Sequence, residues 1–262
     1  MGVIPRGKPL CPGYRALRLL RRGHAVEVFD AWSEERDCRC IAKAVRRDLV
    51  ADRETRASLF LEARLLLRLA HPHLVRAYEL IRGSRPVLVL ETLTGAMLSK
   101  LISDHPRGLA ARDVLFLGIH LSSALEYLHG AGYLHLDLKP SNVVAQAGSA
   151  KLIDLSLAAR IGRRALGVGT PGYMAPEQIA GHAVTPATDV WGLGCVLHEV
   201  ARGTPAFPVR RGSTQPNRRP EPLQGKSRLP RGAARVIDAC LHPDPGARPA
   251  VRELSAAFRA AL

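Results

Sequence analysis

The chain has 262 residues, 47% of them hydrophobic, and its 38 Lys and Arg against 23 Asp and Glu give a formal net charge of +15. This length and apolar content allow one large domain or two small lobes, and they exclude disorder along the whole chain. No apolar run reaches about 18 residues, so we expect no membrane span.

The start of the chain and the cysteines bear on the compartment. Residues 1–6 are not followed by the apolar stretch of a signal peptide. The cysteines are odd in number and scattered, which suits a reducing environment, so we expect a cytoplasmic protein. Cys38 and Cys40 have no second pair or histidine beside them, and a turn at a strand edge is expected there rather than a metal site.

The first 93 residues predict a mostly antiparallel sheet with one helix, after a loosely ordered lead-in over residues 1–16. Leucines at helical spacing predict a helix over 58–70, which Pro72 ends. The strands, with a turn at Gly83, are predicted from apolar and β-branched runs at 25–29, 40–45, 74–81 and 86–93.

Beyond Gly95 the pattern becomes mainly helical. A long helix with one apolar face is predicted over 111–129, where Gly130 and Gly132 follow it. Short apolar runs around 133–144 and 150–154 indicate strands, and a Gly-rich basic loop then runs to Glu177. Further helices are predicted over 188–202, 233–241 and 250–262. The layout is a small β-rich part, a connector over 91–95 and a larger helical part.

Polar residues at fixed offsets stand between the apolar runs of 133–144. Asp137 can orient a hydroxyl and accept its proton, Lys139 can neutralise a moving phosphoryl group, and Asn142 can hold a metal through its carbonyl oxygen. In this arginine-rich chain only six residues are Lys and two are Asn, which favours a chemical role. From these residues alone, a polar turn between two core strands remains an alternative.

Four motifs in order resemble those of the eukaryotic-type Ser/Thr protein kinases, a family found also in bacteria. They are Ile41-Ala42-Lys43, the run from His135 to Asn142, Asp154-Leu155-Ser156, and Ala175-Pro176-Glu177 after Gly169-Thr170-Pro171-Gly172-Tyr173. The resemblance covers residues 17–262. It implies an α+β, bilobal kinase-like fold with a β-rich N-lobe over 17–93 and a helical C-lobe over 94–262. Kinase-like small-molecule phosphotransferases lack the Ala-Pro-Glu segment, so its presence here argues against that alternative.

The resemblance also implies roles for single residues, with ATP and Mg²⁺ as cofactors and a protein Ser or Thr as acceptor. Asp137 would be the catalytic base and Lys139 would stabilise the γ-phosphoryl charge, while Asn142 and Asp154 would hold Mg²⁺. Lys43 would contact the α- and β-phosphates and pair with Glu62. The other ATP contacts implied are Leu20, Gly23, Val28, Ala42, Glu91, Leu93 and Val144.

Several residues would support the site without touching substrate. By resemblance, Asp189 braces the catalytic-loop backbone and Arg248 pairs with Glu177. Lys139 and Thr170 both approach Asp137 in the Ser/Thr branch. His135 is expected to be a packed scaffold residue.

The chain departs from the family pattern at three places. Arg21 and Val26 replace glycines of the phosphate-covering loop and leave only Gly23, which predicts weaker or slower nucleotide use. Leu136 replaces the Arg that commonly receives an activation-loop phosphate, and residues 157–169 contain no Ser, Thr or Tyr. Ser156 replaces a glycine. We expect a kinase that is active without phosphorylation of that loop; the alternative is a pseudokinase that binds nucleotide or acts as a scaffold.

Positive charge concentrates over residues 202–235, where nine basic residues accompany Glu221 alone. This segment also holds six prolines, and we expect an irregular surface stretch that attracts acidic partners. No aromatic pattern that would stack bases accompanies the charge, so nucleic-acid binding is not expected.

Overall fold

The computed structural model describes residues 7–146, 148–208, 220–225 and 227–262. The chain divides into two compact units, which are described separately. The first unit comprises Met1–Ala70 and Val75–Thr94, and the second comprises His71–Leu74 and Gly95–Leu262. The division predicted from the sequence falls at 93/94.

The described part of the first unit is a six-stranded antiparallel sheet with one α-helix. Its strands are β1 (Lys8–Cys11), β2 (Tyr14–Arg22), β3 (Val26–Ser33), β4 (Cys38–Val45), β5 (Ala77–Ile81) and β6 (Val87–Glu91). They lie in the order β1-β2-β3-β4-β6-β5. A 3₁₀ turn at Arg47–Leu49 leads into helix α1 (Arg53–Arg68).

The prediction of a loosely ordered lead-in is wrong for the described part of residues 1–16. β1 pairs with the start of β2, and Tyr14 is only 4% exposed within an apolar cluster. Because β1 has four residues and contains Pro9, its pattern is too short to read as a strand. Residues 1–6 lie outside the described part of the chain.

Helix α1 begins five residues earlier than predicted. Asp52 caps it, accepting a hydrogen bond from the backbone N–H of Thr55 at 2.7 Å. The first turn is polar, so apolar periodicity did not reveal it. Leucines on its buried face, with Glu62 among them, pack towards the sheet.

The second unit is mainly helical. Its α-helices are α2 (Leu98–Asp104), α3 (Ala111–Gly130), α4 (Pro176–Ile179), α5 (Pro186–Arg202), α6 (Arg231–Cys240) and α7 (Val251–Ala260). Its strands are β7 (Ala96–Met97), β8 (Tyr133–Leu134), β9 (Val143–Gln146), β10 (Ser149–Leu152) and β11 (Ala159–Arg160). Two small sheets form, β10-β9-β7 and β11-β8, and 3₁₀ turns lie at Pro140–Asn142 and Pro245–Ala247.

Helix α5 is the centre of this unit. It is buried from Thr188 through Val200, and α3, α6 and α7 all contact it. Its apolar sequence on every side is typical of a fully buried helix. Gly203 ends it with a φ of 75°, and a side chain there would collide with the carbonyl of Pro106. None of the described helices is both long and apolar enough to cross a membrane.

The basic segment over 202–235 is less irregular than predicted. Its last residues form the start of α6, and Leu223 and Leu229 are buried. Arg202 forms an ion pair with Glu221 at 2.8 Å. Residues 209–219 and 226, which hold much of the charge, lie outside the described part of the chain.

Candidate active site

A buried ion pair joins β4 to α1 in the first unit. Lys43 Nζ lies 2.7 and 2.8 Å from the two carboxylate oxygens of Glu62. The two side chains are 7% and 1% exposed. The predicted pairing of these residues is confirmed. Since a buried charge is costly unless it is paired and hydrogen-bonded, each residue compensates the charge of the other and fixes its position.

The strand register shows which residues share the face of Lys43. Lys43 stands opposite Val28 on β3 and Leu88 on β6, and alternation puts Ile41 on the same face. Ala42 is on the opposite face, buried in a cluster with Cys40 and Ala44. Ala42 therefore does not share the face of Lys43, which its predicted role required, whereas half-buried Ile41 does. Its spacing of two residues from Lys43 was a signal available in the sequence that our prediction did not use.

The turn between β2 and β3 is short and held by hydrogen bonds. Gly23 N–H donates to Val26 O at 2.8 Å, and the Arg46 guanidinium donates to the carbonyl of His24 at 3.0 Å. Arg22 lies 3.5 Å from Glu27, which accepts a 2.6 Å hydrogen bond from Arg85. Arg22 thus gives this turn a positive charge, which the Glu27 carboxylate offsets in part.

The remaining predicted nucleotide contacts lie on several elements, and each is described within its own unit. Leu20 is 44% exposed, at a register shift in the pairing of β2 with β3. Glu91 ends β6 and accepts a hydrogen bond from the backbone N–H of Arg76, and half-buried Leu93 follows it. Val144 is a buried residue of β9 in the second unit. Their contact with a nucleotide stays a prediction.

Asp137 is the centre of a compact polar cluster in the second unit. Its Oδ1 accepts a 2.5 Å hydrogen bond from the Thr170 hydroxyl, and its Oδ2 lies 2.7 Å from Lys139 Nζ. Lys139 Nζ also donates to Thr170 Oγ1 at 2.6 Å. The predicted approach of Lys139 and Thr170 to Asp137 is confirmed. The geometry puts a carboxylate, which can accept a proton, beside a cation that can stabilise anionic oxygens.

Asn142 and Asp154 supply oxygens of the type that Mg²⁺ prefers. Asn142 Nδ2 donates to the backbone oxygen and to Oδ2 of Asp137, at 2.9 and 3.0 Å, so its Oδ1 is the atom available to a cation. A backbone hydrogen bond from Ile153 N to Asn142 O ties the two segments together at 3.1 Å. Among the described residues no cluster of three acidic, His or Cys side chains would hold a metal alone. Mg²⁺ commonly binds one or two carboxylates plus substrate phosphates, which this donor set fits.

The backbone before Asp137 is fixed by a fully buried carboxylate. Asp189 accepts hydrogen bonds from the N–H of His135, the N–H of Leu136 and Nε2 of His129, each at 2.8 Å. Burial alone would raise the pKa of Asp189, but these bonds and His129 hold its pKa below the ordinary value. The predicted brace is confirmed, whereas the contribution of His129 carried no signal in the sequence.

His135 is a scaffold residue, as predicted. It is fully buried, and its Nδ1 accepts a hydrogen bond from Asp137 N–H at 3.2 Å. Burial lowers the pKa of His135 although Asp189 opposes this effect. In a neutral ring whose Nδ1 accepts a hydrogen bond, the ring hydrogen is on Nε2, so His135 cannot serve as the base in place of Asp137.

Residues 154–177, here called the activation segment, are tied to the rest of the second unit along their length. Leu136 packs with four apolar residues of this unit, namely Leu134, Ala159, Ala165 and Val184. Gln178 Nε2 donates to Leu136 O and to Val168 O, at 3.0 and 2.7 Å. Gly169, with a φ of 131°, would bring a side chain within 3.0 Å of the Leu136 carbonyl. The residue that replaces arginine is thus an apolar anchor for this segment.

The end of the activation segment is held by a second buried pair. Arg248 makes two parallel hydrogen bonds to Glu177, at 2.7 and 2.9 Å, which confirms the predicted pairing. Burial would raise the pKa of Glu177, but Arg248 lowers it overall. Arg248 also donates to the backbone oxygens of His242, Pro243 and Ala187 and lies over Trp191.

An antiparallel sheet with a lysine–glutamate pair, followed along the chain by a helical unit with this aspartate cluster, has the order of elements of the bilobal protein kinase fold. The protein kinase domain family matches residues 14–257. The chain belongs to this family.

Curated relatives are named as serine/threonine-protein kinases. The DNA damage-responsive serine/threonine-protein kinase RqkA of Deinococcus radiodurans is 34% identical over 76% of this chain. The probable serine/threonine-protein kinase SCO3848 of Streptomyces coelicolor is 32% identical over 72%, and the serine/threonine-protein kinase PknK of Mycobacterium bovis 32% over 91%. The matches span 30%, 32% and 22% of SCO3848, RqkA and PknK, so the chain spans less than a third of each relative.

Proposed function

We propose that this chain transfers the γ-phosphoryl group of ATP to Ser or Thr hydroxyls of protein substrates and that phosphorylation of its activation segment is not required. The observation that carries the proposal is the cluster around Asp137. In it a buried carboxylate accepts a hydrogen bond from one hydroxyl, that of Thr170, while Lys139 contacts both groups. A substrate hydroxyl at the same carboxylate would meet the same environment.

In this mechanism Asp137 orients the acceptor hydroxyl and takes its proton as the oxygen attacks the γ-phosphorus, and the bond from that phosphorus to the β–γ bridging oxygen breaks and releases ADP. Lys139 stabilises the charge on the transferring group, and Lys43, held by Glu62, binds the α- and β-phosphates. Asn142 and Asp154 would hold Mg²⁺, which when bound neutralises phosphate oxygens. Because Asp137 and Lys139 already contact each other before the substrate arrives, this cluster needs little reorganisation in the reaction.

The apolar packing of Leu136 supports activity without phosphorylation of the activation segment. Leu136 stands at the position where the family commonly has an arginine that binds an activation-loop phosphate. Here it packs with Ala165 and Val184, so the segment is anchored without an added charge. Thr170 is the nearest candidate phosphosite, but a phosphate there would add about two negative charges beside Asp137. We expect active protein to carry no phosphate on Thr170, which mass spectrometry of the purified protein tests.

A pseudokinase is the second candidate. The observation that favours it is the phosphate-covering turn, where Arg21 and Val26 replace glycines and Gly23 alone remains. Side chains at those positions limit the approach of backbone N–H groups to phosphates. On this hypothesis the chain binds nucleotide or acts as a scaffold without transferring phosphate.

One experiment separates the two candidates. The chain is incubated with labelled ATP and Mg²⁺ together with a generic protein substrate, and Asp137→Asn and Lys43→Met are compared with wild type. We expect label on protein that falls at least about 100-fold in Asp137→Asn, because general-base catalysis commonly contributes that much. Nucleotide binding without transfer by wild type would overturn the kinase proposal and support the pseudokinase.

A further inference from the structure

The activation segment carries three arginines and no acid between its ends. Arg160, Arg163 and Arg164 lie between Asp154 and Glu177, and no Asp or Glu occurs among the residues from 155 to 176. All three arginines are exposed. The segment that carries this positive charge continues to Thr170, whose hydroxyl donates a hydrogen bond to Asp137.

Two of these arginines have no partner among the described residues. The Arg160 guanidinium lies over the Tyr133 ring, 4.6 Å from its centroid. The side chains of Arg163 and Arg164 form no hydrogen bond or ion pair with any described residue, unlike Arg202, which is paired with Glu221. Arg163 and Arg164 are adjacent in sequence, and exposed guanidinium groups without a carboxylate partner are suited to bind carboxylates from another molecule.

The backbone that carries these arginines is fixed. Val184 N–H donates to Arg163 O at 3.0 Å, and Gly162 N–H donates to Val184 O at 2.8 Å. Arg164 forms an antiparallel bridge with Ala183. The next residue, Ala165, is buried against Leu136. Since this backbone is already ordered, a ligand that binds the arginines loses less entropy than it would on a mobile loop.

The distance along the chain puts the arginines within reach of a substrate. Arg164 precedes Thr170 by six positions, and an extended chain over that interval spans about 22 Å at most. Thr170 contacts Asp137 directly, so a peptide whose hydroxyl occupies Asp137 passes close to this segment. Side chains within about six residues of the acceptor are therefore those that can meet Arg163 and Arg164.

We propose that Arg163 and Arg164 select protein substrates in which Asp or Glu residues flank the acceptor Ser or Thr. The inference rests on the proposed kinase function and adds its substrate class. It puts the attraction for acidic partners in the activation segment, whereas the sequence suggested the segment over 202–235.

The test compares two peptides with the same acceptor Thr, one flanked by Asp and Glu and the other by Asn and Gln. We expect wild type to show a kcat/KM about tenfold higher for the acidic peptide, equivalent to about 1.4 kcal/mol. The ratio should fall as salt rises, because exposed charges are screened. Arg163→Gln combined with Arg164→Gln should bring the ratio close to one. The matched control is Arg252→Gln with Arg259→Gln, two exposed arginines of α7, which should keep the ratio.

Binding of the same peptides with Ala in place of Thr is measured by fluorescence anisotropy, which needs no transfer. Stronger binding of the acidic peptide that is lost in the Arg163 and Arg164 variant supports the inference even if wild type transfers no phosphate, a result that would count against the kinase function alone. Equal binding and equal kcat/KM for the two peptides overturn the inference and leave the kinase function standing. A preference that survives in the double variant also overturns it.

Discussion

The backbone N–H of Leu136 donates to Asp189 Oδ1 at 2.8 Å, and Leu136 holds a left-handed φ of 64°. A leucine in this region of φ and ψ costs about 1–3 kcal/mol. The buried carboxylate of Asp189 offsets that cost by fixing this N–H and that of His135. The backbone that leads to Asp137 therefore holds a conformation that local preferences would not choose.

Replacing Asp189 tests the brace. In Asp189→Asn the side chain loses its charge and one acceptor oxygen, so at least one of three buried donors is left without a partner. We expect the free energy of unfolding at pH 7 to fall by about 3 kcal/mol, measured by urea denaturation. Asp113→Asn, on the exposed face of α3, should change it little.

The pH dependence of the same variant provides a second readout. The folded pKa of Asp189 is below its ordinary value of 3.8, so the carboxylate stabilises the fold above that pH and the contribution disappears as pH falls through the folded pKa. Asp189→Asn should therefore show a smaller loss of stability below about pH 4 than wild type. If the unfolding free energy of Asp189→Asn falls below pH 4 as steeply as that of wild type, the role assigned to Asp189 is contradicted.

Leu136→Arg restores the residue expected from the family pattern, and we expect it to damage this protein. Leu136 is 4% exposed in a cluster that contains no acid. An unpaired guanidinium there should cost about 2–4 kcal/mol in unfolding free energy, again measured with urea. Leu136→Met, which conserves volume, should cost less than about 1.5 kcal/mol. If Leu136→Arg is as stable as wild type, the anchor described for the activation segment is wrong.

Much of the site was accessible from sequence because its residues occur in ordered motifs. The resemblance implied a helix glutamate as the partner of Lys43, and Glu62 was the candidate because it lies in the middle of a leucine-rich helix. The structure confirms that pair. The helices over 111–130 and 186–202 were also predicted, because a long apolar repeat identifies a helix even when its predicted ends are misplaced by a few residues.

The sequence did not predict those features of the site whose conformation depends on tertiary contacts. The left-handed conformation of Leu136 depends on Asp189, 53 residues away in the chain, and no local pattern encodes it. The pairing of Arg163 with Val184 is likewise non-local. Ala42 was an error of another kind, because alternation along β4 was available and pointed to Ile41.

The buried pair of Lys43 and Glu62 can be tested by a double-mutant cycle. Lys43→Met leaves a carboxylate that is 1% exposed without its cation, and we expect about 3–5 kcal/mol of lost stability. Adding Glu62→Gln removes the uncompensated charge and should restore much of that loss. Urea denaturation of the four proteins measures this coupling, and phosphoryl transfer should stay absent in the double variant. Additive losses would show that the two side chains do not interact.

Arg248→Lys tests whether the geometry of the second pair matters beyond its charge. Arg248 makes two bonds to Glu177 and three to backbone oxygens, and the three donors of a lysine ammonium cannot replace them. We expect a loss of about 2–4 kcal/mol in unfolding free energy by urea denaturation. Arg252→Lys, at an exposed position of α7, is the matched control. A loss no larger than that of the control would contradict the role assigned to the forked contacts.

His120 should make the second unit sensitive to mild acid. Its ring stacks on His73, with centroids 4.2 Å apart, and lines a cavity of about 340 Å³ together with His105 and Asp113. Burial, with a smaller contribution from His73, lowers the pKa of His120 from 6.5 to about 4. A proton therefore binds the unfolded chain more readily than the folded one between these values, so stability should fall as pH decreases from 6.5 towards 4.

His120→Phe keeps an aromatic ring against His73 and removes the titrating group. We expect its unfolding free energy to decline less than that of wild type between pH 6.5 and 4, measured by urea denaturation at a series of pH values. Part of the decline should persist, because burial also lowers the pKa of His71 and of His73. His182→Gln, at an exposed position, should reproduce the wild-type curve. Parallel curves for His120→Phe and wild type would show that protonation of His120 does not oppose folding.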